Sequence, residues 1–189
     1  IKINIESPYI KSQIELSLNN LMNNNIFFLD KKNIENRLMK FDYLENVFVT
    51  KNYPSTLIIN ANMTELLAIT FLDQKKYFVG NNEKFILAKE LNNDKELPLI
   101  FGKFSIQDFI KIKKILANEG IDQKKINKFY YHKNKRWDIF YKNNIIIKLP
   151  DKNVKYAVKL LKQFLKFNEI KTNSIIDLRI NNRLILSNE

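Results

Sequence analysis

A chain of 189 residues, 45% of them hydrophobic, is long enough to bury a core without cross-links, and with no cysteine it has none to form. A single histidine would leave a zinc centre built almost wholly from carboxylates, and three scattered glycines exclude a phosphate-binding loop or a dinucleotide fingerprint. The formal net charge of +12 comes from lysine rather than arginine in a sequence rich in Asn, Lys and Ile, a bias typical of AT-rich coding that weakens arguments from charge alone.

Ile1, Ile3 and Ile5 alternate, which predicts an opening strand. Ile14, Leu18, Leu21 and Met22 share one side of a helix over about 12–23, and Ile34, Leu38 and Phe41 one side of a second over about 31–41. Asp30 is placed to accept from the unsatisfied N–H groups at the start of the second helix. Val47 and Val49, then Leu57, Ile59 and Ala61, predict two strands, each with one apolar edge. Pro54 has no N–H for a ladder and fits only the turn between them. Strand, helix, helix, strand, strand is a two-layer α+β unit.

Further strands are predicted over about 65–71, 75–79 and 84–88, the last two joined near Asn81-Asn82. A helix over 105–118 has Ser105 and Asp108 in capping-box spacing, Phe109, Ile112 and Leu116 on its apolar side, and Gly120 near its end. Strands over 125–131, 136–141 and 145–149 follow, the last two linked at Asn143-Asn144. Asp151 is placed to cap a helix over about 152–167 whose inner face is Val154, Val158, Leu161 and Leu165. Strands over 174–180 and 183–187 close the chain, and no internal repeat stands out.

Catalysis finds little support. His132, among Tyr131, Lys133 and Lys135, shows no orienting carboxylate and no placed nucleophile, so no triad is legible. Glu65 with Asp73 and Asp94 with Glu96 read as surface acids. Lys155, Lys159, Lys162 and Lys166 form one stripe of the last helix, which reads first as a solvated face and second as a contact for anionic lipid or an acidic partner. Phosphate-binding signatures for nucleic acid are missing. Trp137 beside Arg136 reads as a core aromatic, and Asp177 and Arg179, on one side of their strand, as an ion pair or as hydrogen-bonded to adjacent strands.

The first half resembles the POTRA module of the bacterial division proteins FtsQ and DivIB, with a pattern N-hydrophobic-L-D-x5-L and then V-x-V-x-(K/R)-x-x-P-x-x-L-x-I. Those positions are Asn25, Phe28, Leu29 and Asp30, then Val47, Val49, Lys51, Pro54, Leu57 and Ile59. The second half resembles the β domain of the same family through Leu97-Pro98-Leu99-Ile100 with Gly102, Arg136-Trp137 leading to Ile147-Lys148-Leu149, and Ile176-Asp177-Leu178-Arg179. The family's E-x-x-P-hydrophobic-A segment appears with Met63 and Leu66 in the acidic and proline places and Ala68 kept, and its D-x-x-G turn as Gly80-Asn81-Asn82-Glu83.

The resemblance implies an α+β protein with a POTRA domain over 1–65 and a mainly antiparallel β domain with two helices over 66–189. It implies a non-catalytic division scaffold without cofactor or metal. The β domain would dock FtsB and FtsL at a C-terminal edge strand through Ile180, Asn182, Arg183, Leu184 and Leu186, and the POTRA domain would meet upstream division membrane proteins. Ile1 is not an initiator Met, and the resemblance implies a preceding membrane helix with this chain on the periplasmic side of the inner membrane; a secretory signal peptide fits as well. The alternatives are a POTRA-bearing secretion or outer-membrane assembly protein and a basic nucleic-acid-binding protein.

Overall fold

The computed structural model describes residues 1–21, 24–91, 95–168 and 170–188. The expected placements of Met22, of the first helix's end at 23 and of Asp94 lie outside the described residues. Residues 1–66 with 80–86 form one unit, and residues 67–79 with 87–189 form the other.

The first unit contains β1 (Lys2–Asn4), α1 (Pro8–Leu18), α2 (Lys31–Leu38), β2 (Leu44–Asn52) and β3 (Thr56–Met63), in the expected order. Helix α1 starts earlier than the apolar periodicity suggests. The Ser7 hydroxyl accepts from Ile10 N at 3.4 Å, and Pro8 occupies a first-turn position where no N–H is needed. Asp30 caps α2 as expected, accepting from Lys32 N at 2.9 Å. This helix stops at Leu38, so Phe41 lies beyond it and stacks on Tyr43 at 5.3 Å.

The sheet order is β1-β3-β2, with β1 parallel and β2 antiparallel to β3. Ile3, Ile59 and Val49 are level across it, and all three are buried with Ile10, Ile14 and Leu18 of α1 and Ile34 and Leu38 of α2. Glu35 Oε1 accepts from Val49 N at 2.8 Å, so an α2 side chain satisfies a donor of the edge strand β2. Residues 80–86 are held by Asn82. Its side-chain amide donates to Asp42 O at 2.9 Å and Leu44 O at 3.1 Å, and its backbone N–H donates to the Thr64 hydroxyl at 3.1 Å.

The remaining elements are β4 (Leu66–Leu72), β5 (Lys75–Gly80), β6 (Phe85–Leu87), β7 (Leu99–Phe101), α3 (Ile106–Asn118), β8 (Ile126–Tyr131), β9 (Trp137–Tyr141), β10 (Ile145–Lys148), α4 (Val154–Phe167), β11 (Ser174–Asp177) and β12 (Ile185–Asn188). The second sheet runs β12-β11-β10-β9-β8-β7-β4-β5-β6. It is mixed. The β7–β8 and β10–β11 pairs are parallel because α3 and α4 carry the chain back before each second strand; β4–β7 is also parallel. The β8–β9, β9–β10 and β11–β12 pairs are antiparallel.

Ser105 caps α3, accepting from Asp108 N at 3.1 Å. Asp151 does not cap α4: the cap position is Asn153, with φ 56° and no side-chain cap bond, which starts the helix two residues beyond the expected point. The hairpin pair Asn143-Asn144 takes positive φ at both residues. Strand β7 has only three residues, too few to show alternation, and Pro98 just before it accepts from Ile69 N at 2.9 Å. Gly102 comes next with φ +96°, where an added Cβ would stand 2.1 Å from Tyr131 O.

The core of this unit is aromatic where α3 meets the sheet. Phe109 packs edge-on to Phe129 at 5.2 Å and lies 6.0 Å from Trp137, which is buried and also lies 4.6 Å from Tyr131. Ile139, Ile147, Ile176 and Leu178 continue the buried face toward Val158 and Leu161 of α4, whereas Val154 and Leu165 are half-buried. Trp137→Ala removes the ring that Phe109, Phe129 and Tyr131 share, and is expected to cost about 3–5 kcal/mol in chemical denaturation, with Trp137→Phe costing clearly less. Gly102→Ala is expected to lower the denaturation midpoint as well, through both its positive φ and the Tyr131 carbonyl.

Candidate partner-binding edge

Strand β12 ends the second sheet. It is antiparallel to β11 in the register Ser174↔Asn188 to Asp177↔Ile185, and no described strand lies on its other side. All four of its residues are exposed, including the apolar Ile185 and Leu186. Leu186 is level with Ile176 and Ile185 with Asp177, so the two apolar side chains leave opposite faces of the edge. Ser174, buried below the far end, bonds Asn188 Oδ1 at 2.9 Å.

The chain reaches this edge through a turn built on Asp177 and Arg179. Arg179 N donates to Asp177 Oδ1 at 3.0 Å, and Arg179 Nε lies 2.8 Å from each carboxylate oxygen, with Nη2 also donating to Oδ2. Arg183 N donates to Ile180 O at 3.2 Å, and Asn182 takes φ 60°. The turn places the expected docking residues differently from the sequence reading. Ile180, Asn182, Arg183 and Leu184 precede the strand, and only Leu186 lies within it. Ile180, Asn182 and Arg183 are exposed, whereas Leu184 is half-buried. Ile180, Asn182 and Arg183 line an indentation with Tyr156, Ala157 and Leu160 of α4. Strand β12 starts later than expected because the Asp177–Arg179 clamp ends β11 at Asp177. Ile185 was not singled out from the sequence, since its exposure comes from the register rather than the pattern.

Asp138, Lys148, Asp177 and Ile185 stand level on adjacent strands. The hydrogen bonds from Arg179 hold the Asp177 carboxyl below its ordinary range, with Lys148 adding to them and burial opposing them. The same pair raises the Arg179 guanidinium.

One polar contact escaped the sequence reading. His132 Nε2 lies 2.8 Å from Asp138 Oδ2, so the sole histidine does have an orienting carboxylate; only the β8–β9 register brings the two together. Arg136 Nε stands 3.5 Å from Asp138 Oδ1, and both atoms are buried without a hydrogen bond. The imidazole's ring neighbour is Tyr130, with centroids 4.7 Å apart. Trp137 belongs to the core and not to the exposed edge. Among the described residues no three acidic or histidine side chains converge as a metal site would need, and no helix is long and apolar enough to cross a membrane.

Two family models match the chain: "POTRA domain, FtsQ-type" over residues 3–61 and "Cell division protein FtsQ/DivIB, C-terminal" over residues 72–179. The cell division protein FtsQ of Rickettsia typhi is 26% identical over 181 residues, covering 89% of this chain and 65% of that protein. FtsQ of Rickettsia bellii is 25% identical over 182 residues, covering 95% and 66%. The cell division protein DivIB of Clostridium tetani is 27% identical over 78 residues, covering 41% and 28%. The chain thus spans just under two thirds of the length of these Rickettsia relatives.

The depressed Asp177 carboxyl makes the turn sensitive to acid. Its contribution to stability is complete above the unfolded carboxylate range near about pH 4 and is lost as pH falls through the lower folded value. Carboxyl-carbon NMR is expected to place the Asp177 midpoint below the usual range, and Arg179→Gln is expected to move it upward; equal midpoints in the two proteins would contradict the clamp.

Proposed function

The chain belongs to the FtsQ/DivIB family of bacterial cell division proteins, and on that premise we propose that it is a non-catalytic scaffold whose second unit captures partner proteins by strand addition at β12. The proposed domains are a POTRA domain over 1–65, which meets upstream division membrane proteins, and a β domain over 66–189, which holds FtsB and FtsL. In this reading a single membrane helix outside the present sequence anchors the protein in the inner membrane, this chain lies on the periplasmic side, and gathering the partners helps control septal peptidoglycan synthesis.

The observation that carries the reading is the exposed, unpaired side of β12, with Ile185 and Leu186 beside it. An edge of this kind is a hazard unless it is guarded or used. A partner strand laid along it satisfies backbone donors and acceptors on both sides, and side chains at its ends supply specificity. Four residues offer few ladder bonds, so Ile180, Asn182, Arg183 and Leu184 in the preceding turn are proposed to hold the partner beyond the strand itself, with Leu186 and Ile185 on the strand. The formal charge of +12 favours an acidic partner segment and a salt-sensitive association rate.

Calorimetry with the periplasmic segments of FtsB and FtsL from the same genome tests this. Saturable binding is expected to the intact chain, at least about tenfold weaker for Leu184→Lys or Leu186→Lys, which cost an apolar contact and bury a charge, and absent for a chain truncated after Arg179. A folded intact chain that binds neither segment would overturn the proposal.

A further inference from the structure

Three exposed aromatic side chains of the first unit, Phe27, Phe28 and Tyr53, have no role given above. Phe28 is 88% exposed, Phe27 64% and Tyr53 55%, and Phe27 stacks on Tyr53 with ring centroids 4.9 Å apart. Their presentation is fixed by local chemistry. Ile26 is buried beneath the short 3-10 turn of residues 26–28, and the Asn25 side chain accepts from Phe27 N at 3.0 Å. Lys51 Nζ donates to Phe27 O at 3.2 Å. A turn anchored this firmly could place its aromatic rings inward; instead it holds two phenylalanines in water.

Lysines adjoin the rings in sequence and in strand register. Lys31 and Lys32 are exposed in the first turn of α2, where positive charge opposes the helix dipole and only the capping Asp30 offsets it. Helix stability therefore does not explain them. Asp30, the one acid in residues 24–34, is engaged in capping. Strand register adds Lys2 to these lysines. Lys2 is level with Ile58, and Lys51 with Leu57 just before the Tyr53-Pro54 turn, so Ile1 falls beside that turn.

We infer that this tip, Phe27, Phe28 and Tyr53 together with the adjoining Lys2, Lys31, Lys32 and Lys51, inserts into the headgroup region of an anionic bilayer. The composition decides between occupants. Protein interfaces are depleted in lysine around their aromatic residues, whereas interfacial membrane contacts combine aromatic rings with lysine. The rings enter the boundary between headgroup and acyl chain, and each ammonium group reaches anionic headgroups around them. The lipid chemistry of the tip does not depend on the anchored reading proposed above.

The chain lacks cysteine, so Ser55→Cys in the exposed turn accepts one environment-sensitive dye. Vesicles containing phosphatidylglycerol are expected to shift the dye's emission to the blue and to co-sediment the chain; vesicles of phosphatidylcholine alone are expected to do neither. Phe27→Ser with Phe28→Ser, shown to be folded by circular dichroism, is expected to weaken the partition at least about tenfold, because burying either ring from water is worth more than one decade. Lys31→Glu with Lys32→Glu is expected to do the same. A chain with Lys155, Lys159, Lys162 and Lys166 all changed to Glu is expected to keep the dye shift. Failure of the intact chain to bind phosphatidylglycerol vesicles, unchanged binding by the double serine variant, or a dye shift lost only in the α4 variant would each overturn the inference. The double serine variant is expected to bind the FtsB and FtsL segments as the intact chain does, so the two proposals fail separately.

Discussion

The return of the chain at Asp177 and Arg179 decides where the second sheet stops. A two-residue clamp, with the guanidinium closed on the carboxylate of the residue two before it, ends β11 and reverses the chain through residues 180–184. Among the described strands β12 then pairs only with β11, and its other side stays open. Without the clamp, Leu178 N would still bond Lys148 O, but nothing of comparable strength would direct the chain into its reversal. The clamp, the bond from Arg183 N to Ile180 O and the positive φ of Asn182 together place the exposed edge.

Behind that edge the sheet is rigid for ordinary reasons. Crossovers through α3 and α4 make their flanking strands parallel and bury the face they cover, and the shared contact of Phe109, Phe129 and Trp137 fixes α3 against the central strands. Rigid scaffolding behind a short strand matters because strand addition offers few bonds. Order already present in the free edge reduces what a partner must supply. The first unit solves its own edge differently, since Glu35 occupies a donor of β2 that a partner strand would otherwise meet.

How much of the fold is legible in the sequence depends on how each element announces itself. Val47, Val49, Leu57, Ile59 and Ala61 are long enough in alternation to declare their strands, and Asp30 and Ser105 declare their caps by position. The start of α1 was hidden because Ser7 and Pro8 act before the apolar periodicity begins, and β7 because three residues carry no period. Asp151 misled because the left-handed conformation of Asn153 displaces the helix start. At the candidate site, spacing offers the ion pair of Asp177 and Arg179 as one of two readings, beside hydrogen bonds to adjacent strands, and the structure shows the pair. The placement of Ile180 to Leu184 in a turn was not readable, because it depends on that pair's geometry. The bond between His132 and Asp138 and the engagement of Asn82 by Asp42 and Leu44 join residues that no linear pattern connects.

The central claim is that a partner chain pairs with β12. Amide hydrogen exchange of the intact chain, with and without the FtsB segment, tests it residue by residue. The account predicts slowed exchange confined to residues 180–188, with the opposite edge at β6 unchanged. Binding that leaves residues 185–188 exchanging at their free rates while protecting another part of the chain would contradict it.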